Sequence, residues 1–174
     1  FGLAGRAGFG DWSVNVFETR VDDLIAFNAA RCAPDNIAQA RIRGMETVFD
    51  TRWGEWDLAS ALTLLDPDNR SADTDDGNVL PRRARQSLRL DADRSFGRLG
   101  LGATLFAAGR RYDDLANTRE LDGYTTLDLH SEYRLAHDWR LQARIENLFD
   151  RDYETAAFYN PPGRGLYLTL RYQP

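Results

Sequence analysis

The chain carries Trp139-Arg140-Leu141-Gln142-Ala143-Arg144-Ile145, then Asn147-Leu148-Phe149-Asp150-Arg151-Asp152-Tyr153-Glu154, then a second alternating run at 166–172. Both runs alternate apolar and polar residues, which predicts two β-strands joined by a polar loop, because successive side chains of a strand point to opposite faces. A water-soluble sheet shows this alternation with its polar face in water. A membrane barrel shows it with apolar residues toward lipid and polar residues toward the lumen.

Composition narrows the choice of function. The 174 residues suit one domain or an eight-stranded barrel. A net charge of -5 and a pI near 5.1 provide no basic stripe, so nucleic acid is not an expected partner. The longest nearly uncharged stretch, Leu99–Gly109, is shorter than the roughly 18 residues of a membrane helix. A mean hydropathy of -0.53 is compatible with a membrane barrel, because half of each of its strands is polar.

Alternation recurs along the whole chain and predicts an all-β fold, an antiparallel up-and-down meander of about nine strands. The predicted strands are Leu3–Phe9, Trp12–Phe27, Ile37–Trp53, Trp56–Leu65, Ala84–Ser95, Leu99–Tyr112, Tyr124–Leu135, Trp139–Leu148 and Leu166–Tyr172. Tight turns alternate with long polar loops, which is the arrangement of periplasmic turns and extracellular loops in outer-membrane barrels. The loops are Ala29–Asn36, Asp66–Val79, Asp113–Asp122 and Asp150–Gly165.

All four tryptophans are predicted beside tight turns, as in one half of the aromatic girdle of a membrane barrel: Trp12, Trp53, Trp56 and Trp139. Aromatic residues that cap the core of a soluble sheet are the alternative. If the sheet lies in a membrane, a charge facing lipid near the midplane costs about 2–4 kcal/mol, so charged residues should face the lumen and any plug inside it. The residues assigned to the lumen are Asp128, His130, Glu132, Arg140, Arg144 and Glu146.

Nine is an odd number of strands, whereas bacterial single-chain barrels have an even number. We therefore expect residues 1–174 to form the C-terminal portion of a larger barrel, whose earlier strands are absent from this sequence. A small closed barrel of eight strands with a structural or adhesive role is the alternative, and it depends on whether the weakest strand, Leu3–Phe9, forms.

Three segments resemble TonB-dependent outer-membrane receptors. The motif Asn147, Leu148, Phe149, Asp150 and Tyr153 resembles the end of the family's penultimate strand. The segments Thr19–Ile25 and Ala40–Glu46 resemble two consecutive strands of the family, in the family's order. Within it, the vitamin B12 receptors are the most similar branch, on the following segments: Leu80–Ala84, Asp152–Thr155 and the region of Arg164.

The resemblance implies a C-terminal segment of a barrel of about 22 strands in the bacterial outer membrane. It also implies uptake of cobalamin or an iron-siderophore, energised by the TonB complex through a plug domain that this sequence lacks. Outer-membrane lipid is the other expected partner. We expect no cofactor, no metal site and no catalytic residue. The chain ends on Gln173-Pro174, where family members usually end on an aromatic residue.

Two groups of loop residues are candidates for ligand binding, because long loops commonly carry binding in such barrels. They are Arg110, Arg111 and Tyr112 at a strand end, and Phe158, Tyr159 and Asn160 in the last loop. Arg111 and Tyr112 could instead belong to an outer aromatic girdle.

Other candidates are weaker. The histidines His130 and His137 are too few for a histidine-rich metal site, and the acidic loop Asp66–Asn78 lacks the ordered ligands of an EF-hand. We interpret that loop as solvated rather than calcium-binding, and Cys32 as an ordinary loop residue. A hydrolase would need a Ser/His pair near the rim, whereas His130 is predicted to face inward.

Overall fold

The computed structural model describes residues 1–28, 33–159 and 161–174, and in these residues the protein is all-β. In the described part of the chain, nine antiparallel strands form one sheet, in which each strand pairs with the next one along the sequence. A separate two-stranded sheet lies between the sixth and the seventh of them. The strands are β1 Gly2–Ala7, β2 Gly10–Asn28, β3 Ala33–Trp53, β4 Trp56–Asn69, β5 Gln86–Phe96, β6 Leu99–Ala108, β7 Arg111–Tyr112, β8 Glu120–Leu121, β9 Tyr124–Arg134, β10 Trp139–Glu146 and β11 Gly165–Tyr172.

The predicted meander is confirmed, with local corrections. The segment predicted as one strand, Leu99–Tyr112, divides at 109–110, and its last two residues pair with Glu120–Leu121 inside a predicted loop. The first turn lies at Gly8–Phe9, because Ala7 pairs with Gly10. β4 continues to Asn69, four residues into another predicted loop.

The sheet has two free edges, β1 and β11, so the described strands do not close into a barrel by themselves. Within the described residues, no helix is long and apolar enough to cross a membrane. Tight turns connect β1 to β2, β3 to β4, β5 to β6 and β9 to β10. We call that side the turn end, and the opposite side, which bears the long connections, the loop end.

Register assigns each residue to one of two faces, since residues paired directly across strands share a face. One row joins Asp93, Gly102, His130 and Arg144 across β5, β6, β9 and β10, and we call its face the inner face. The other, the outer face, exposes large apolar side chains, including Leu3, Val16, Leu64, Leu90, Leu101, Tyr133, Leu166, Leu168, Leu170 and Tyr172. Membrane barrels divide polar and apolar residues in this way.

The tryptophans lie at the turn end on the outer face, as the sequence predicted. Trp53 and Trp56 pair across a turn, and Trp139 packs against Tyr172 with 4.8 Å between ring centroids. Trp12 lies over Gly5, where an added Cβ would meet the indole ring at 2.9 Å. An aromatic row at this level is typical of the girdle at a membrane interface.

Two strands extend well beyond the length that a bilayer requires. β2 has 19 residues and β3 has 21, whereas about 9–11 tilted residues cross the hydrocarbon core.

Near the loop end, Val21 and Leu24 both pack on the buried cluster of Ile37, Ala40 and Leu80, although they are three residues apart. The strand changes facing between them, at Asp23, where φ is 56°.

Candidate functional site

The long connections at the loop end are tied together by the buried carboxylate of Asp113, which is 1% exposed. Its Oδ1 accepts hydrogen bonds from Arg82 Nε at 2.8 Å and from the backbone N–H of Ala157 at 3.0 Å. These donors belong to the connections 70–85 and 147–164, whereas Asp113 belongs to the connection 109–123. One side chain therefore links three loops that are far apart in sequence.

A second tie joins two of the same loops. The side-chain amide of Asn117 accepts a hydrogen bond from Val79 N at 2.8 Å and donates one to Val79 O at 2.9 Å. The side-chain amide of Asn117 thus satisfies both backbone groups of Val79, as a residue on a neighbouring β-strand would. Asn117 has φ of 55°, a conformation that Asn tolerates better than most residues. Leu80, which follows Val79 in the chain, is fully buried.

Below these loops, an aromatic cluster occupies the loop end of the inner face. Tyr124 and Tyr153 stack with 4.0 Å between ring centroids, and Phe106 lies 6.0 Å from Tyr124. The guanidinium of Arg111 lies 5.3 Å from the Tyr124 ring centroid. Burial, followed by the nearby Tyr124 and Asp128, raises the pKa of the Tyr153 hydroxyl above its ordinary value, so this tyrosine stays neutral.

The motif Asn147, Leu148, Phe149, Asp150 and Tyr153 has a structural explanation. The side-chain amide of Asn147 accepts a hydrogen bond from Arg151 N at 2.9 Å and donates one to Arg151 O at 2.9 Å. Asp150 Oδ1 accepts a hydrogen bond from Arg164 N at 2.7 Å, which joins the two ends of the last connection. Asn147 and Asp150 both have positive φ, at 49° and 53°. Asn and Asp are the non-glycine residues best suited to that conformation.

The structure places the first group of predicted ligand-binding residues in the small sheet formed by β7 and β8. Arg110 makes an exposed ion pair with Glu120 at 3.5 Å. Arg111 is 9% exposed, and its Nε and Nη2 have no hydrogen-bond partner among the described residues. Tyr112 accepts a backbone hydrogen bond from Arg82 N at 2.6 Å. Arg111 is thus a buried neighbour of the aromatic cluster rather than a displayed charge.

The second predicted group lies in the adjoining loop. Phe158 is 79% exposed and stacks under the guanidinium of Arg119, 4.2 Å from its ring centroid. Tyr159 is 72% exposed, and Asn160 lies outside the described residues. The bond between Asp113 and Ala157 brings this loop beside the first group. The assignment of both groups to ligand binding stays a prediction.

The six residues assigned to the lumen all lie on the inner face. Glu132 accepts hydrogen bonds from Gln142 Nε2 at 2.8 Å and from Arg140 Nη1 at 3.3 Å, and Arg144 pairs with Glu146. Asp128 Oδ1 accepts a hydrogen bond from Asn147 N at 2.8 Å. The inner face is therefore polar, hydrogen-bonded and of mixed charge.

His130 and Asp93 meet across an intervening strand, with 2.8 Å between Nε2 and Oδ1. The residue between them is Gly102, where an added Cβ would overlap both side chains. A glycine in the interior of a strand often marks such a close approach. Glycine at this position allows side chains from two strands apart to form a hydrogen bond.

Sequence reasoning missed the residues that organise the loops, namely Arg82, Asp113, Asn117 and Tyr124. Asp113 and Asn117 were placed in a polar loop, where their buried contacts, over 30 residues away in sequence, leave no periodic signal. Tyr124 could have been found, because it opens a strand in the same alternation as Asp128 and is therefore an inward-facing aromatic residue at the loop end.

Comparison with known proteins identifies the family. The family model described as TonB dependent receptor-like, beta-barrel matches residues 1–148. The chain belongs to the TonB-dependent receptor β-barrel family. The vitamin B12 transporter BtuB of Photobacterium profundum is 29% identical over 178 residues, covering 98% of this chain and 29% of the relative. BtuB of Vibrio cholerae is 29% identical over 168 residues, covering 93% of this chain and 27% of the relative.

Solved structures of TonB-dependent receptors share the fold. The ferric citrate transporter FecA matches with a TM-score of 0.84 at 16% identity, over 98% of this chain and 30% of FecA. The ferric preacinetobactin receptor BauA of Acinetobacter baumannii matches with a TM-score of 0.80 at 20% identity, over 98% of this chain and 28% of BauA. The chain spans less than a third of the length of these relatives, and the expected family resemblance is confirmed.

Proposed function

We propose that residues 1–174 are the C-terminal portion of the barrel of an outer-membrane receptor that takes up cobalamin or an iron-siderophore with energy supplied by TonB. The observation that carries the proposal is the assembly at the loop end. Three long connections, tied by Asp113, carry the exposed rings of Phe158 and Tyr159 at the loop end. The family model and the BtuB relatives support the same function.

In this proposal the two faces have different partners. The apolar outer face contacts outer-membrane lipid, and the inner face contacts a plug domain encoded outside residues 1–174. Ion-paired residues such as Glu132 and Arg140 would offer that plug hydrogen bonds without a large net charge. The loop end would form part of the extracellular ligand rim. The role is binding and transport rather than catalysis.

The two exposed rings are the sharpest test of the ligand rim. In the complete receptor, the double substitution Phe158→Ala and Tyr159→Ala should weaken ligand binding by about tenfold or more, because exposed aromatic residues are strong binding anchors. Phe149→Ala is a matched control, since Phe149 is 74% exposed but belongs to the motif that starts the loop. Binding would be measured by titration calorimetry with cyanocobalamin and with ferric citrate.

Three outcomes are informative. Weaker binding in the double variant, with the control unchanged, would support the rim assignment and identify the ligand class. Unchanged affinity in the double variant would remove both rings from the site. Failure of the parent receptor to bind cyanocobalamin or any of a panel of ferric siderophores would contradict the transport proposal itself. TonB dependence would be checked by uptake in cells that lack TonB.

A further inference from the structure

The inner face carries a row of arginines at the turn end of β9, β10 and β11. Arg140 pairs directly with Arg134 on one side and with Arg171 on the other. Residues paired in this way share a face, and like charges in that position repel each other. The carbonyl of Arg98 accepts a hydrogen bond from Arg134 N at 2.9 Å, which brings a fourth arginine beside the row. We call Arg134, Arg140 and Arg171 the turn-end arginine row.

The row has little compensating negative charge. Arg140 Nη1 lies 3.3 Å from Glu132, whose carboxylate also accepts a hydrogen bond from Gln142. Arg134 and Arg171 are exposed, and neither makes an ion pair in the part of the chain that the structure describes. Three guanidinium groups and one carboxylate leave a net charge of about +2 at neutral pH. Repulsion within the row is therefore not offset inside this sheet.

The other side of the same face treats its arginines differently. At the turn end of β1 and β2, Arg6 Nε donates to its cross-strand partner Asp11 at 2.6 Å. At the turn end of β3 and β4, Arg52 Nε donates to its cross-strand partner Asp57 at 2.7 Å. Each of these pairs is neutral. The unpaired row is thus particular to β9, β10 and β11, and a local rule that is broken at one place points to a partner there.

The shape of the row indicates the kind of partner. Neighbouring strands lie about 4.8 Å apart, so the row runs about 10 Å across three strands. Acidic side chains on alternate residues of an extended segment lie about 7 Å apart, so two or three of them cover the row. Guanidinium groups hold carboxylates through two parallel hydrogen bonds. Membrane lipid contacts the opposite face, and a segment inside the lumen is the nearest source of carboxylates for this one.

We propose that the turn-end arginine row binds an extended acidic segment of the plug domain and latches the plug to the β9–β11 side of the periplasmic mouth. This inference rests on the proposed function, because the plug is encoded outside residues 1–174. The β1–β4 side, whose arginines are already neutralised, offers no such latch. The plug is therefore held on one side of the mouth and loosens first on the other. The exposed ion pairs of the latch weaken as salt rises.

A conservative substitution makes the contact visible. Arg171→Lys keeps the positive charge and introduces a primary amine, which a carbodiimide joins to any carboxylate in contact with it. In the complete receptor, purified in detergent, mass spectrometry should find this amine joined to an acidic residue of the plug. Arg6→Lys is the matched control at the same end of the same face, and it should be joined to Asp11 instead.

Removal of the charge tests the latch itself. Arg134→Gln with Arg171→Gln leaves Glu132 paired with Arg140, so no carboxylate of this chain is orphaned. Hydrogen–deuterium exchange of the cross-linked plug segment should accelerate about tenfold in this variant of the complete receptor, equivalent to about 1.4 kcal/mol. Raising salt from about 50 to about 500 mM should accelerate that segment in the parent and change little in the variant.

The control for exchange is Arg6→Gln with Asp11→Asn, which removes one paired charge of each sign at the turn end. It should leave exchange of the plug at the parent rate. Heat-modifiable migration on SDS gels would verify that each variant is folded. If the double variant fails to fold, the cross-link of Arg171→Lys decides the question alone.

Two results would overturn the latch. They are a cross-link from Arg171→Lys that reaches no plug residue, and parent-like exchange throughout the plug of the Arg134/Arg171 variant. Binding of cyanocobalamin and ferric citrate at the loop end should be the same in variant and parent. A parent that binds a ligand but shows neither the cross-link nor the acceleration contradicts the latch alone. A parent that lacks a plug contradicts the proposed function as well.

Discussion

Replacing Asp113 by asparagine should loosen three loops at once. Asp113 is 1% exposed and holds Arg82 Nε and Ala157 N, so the substitution replaces a charged acceptor with a neutral one at the centre of the assembly. Breaking a buried ion pair costs about 3–5 kcal/mol. Arg82 keeps 32% of its side chain exposed, and water will partly resolvate it. We therefore expect a loss of about 2 kcal/mol in local stability.

Hydrogen–deuterium exchange is the assay that isolates this effect. A loss of about 2 kcal/mol raises the local opening constant about 30-fold, and amide exchange should accelerate by the same factor wherever the loops open together. The relevant peptides of the complete receptor are 76–84 and 153–159, which contain the amides of Val79 and Ala157. Strand peptides such as 139–146 should exchange at the parent rate.

Asp122→Asn is the matched control, because Asp122 is an exposed carboxylate in the same connection. It should leave exchange in both peptides within about twofold of the parent, as expected of surface substitutions. Parent-like exchange in Asp113→Asn would refute the idea that this carboxylate ties the loops. Acceleration confined to 153–159 would show that the loops open separately.

Three further predictions concern the sheet and its loops. Gly102→Ala should lower the free energy of unfolding, measured by urea titration, by about 1–3 kcal/mol, because the added Cβ would overlap the His130 and Asp93 side chains that form a hydrogen bond across this strand. Gly100→Ala is the control and should cost far less, because its added Cβ would meet only a carbonyl oxygen at 3.8 Å. Asn147→Ala should lower the free energy of unfolding by about 2 kcal/mol, because alanine is strained at the positive φ of this position and loses both side-chain hydrogen bonds to Arg151. Asn147→Gly loses the hydrogen bonds but is not strained there, so it should cost about half as much, as measured by thermal unfolding. Burial raises the pKa of Asp114, but hydrogen bonds from neighbouring residues outweigh burial and hold that pKa below its ordinary 3.8. The stabilisation by the Asp114 carboxylate should therefore be present above about pH 4 and be lost as the pH falls further. Hydrogen–deuterium exchange of peptide 112–120 should show this pH dependence in the parent but not in Asp114→Asn.

The strands were predictable because their signal is local. Alternation along 139–146 and 166–172 determines both the strands and their facing, and the structure confirms each assignment there. The errors lie where alternation stops being informative. Gly109 lies at the break in the predicted Leu99–Tyr112 strand, but alternation does not show the pairing of Arg111 with Leu121 that accompanies the break.

The loops were less predictable because their contacts are distant in sequence. The partners of Asp113 are 31 and 44 residues away, and no periodicity connects residues at such separations. The motif at Asn147 was recognised as a pattern, but its cause is a set of backbone contacts made by Asn and Asp side chains at positive φ. A motif of this kind is recognisable in sequence because few residues satisfy that geometry, whereas a lone buried aspartate in a polar loop is not.

This difference bears on where ligand specificity would arise. The wall is specified by a repeating pattern that many sequences satisfy, and its likeness to FecA, at 16% identity with a TM-score of 0.84, follows from that tolerance. The loop end depends on single residues such as Asp113, which holds the backbone of Ala157 next to Phe158, and Asn117, which holds the backbone of Val79. If the loop end forms the ligand rim proposed above, replacing one of these residues would alter ligand binding while leaving the barrel wall unchanged.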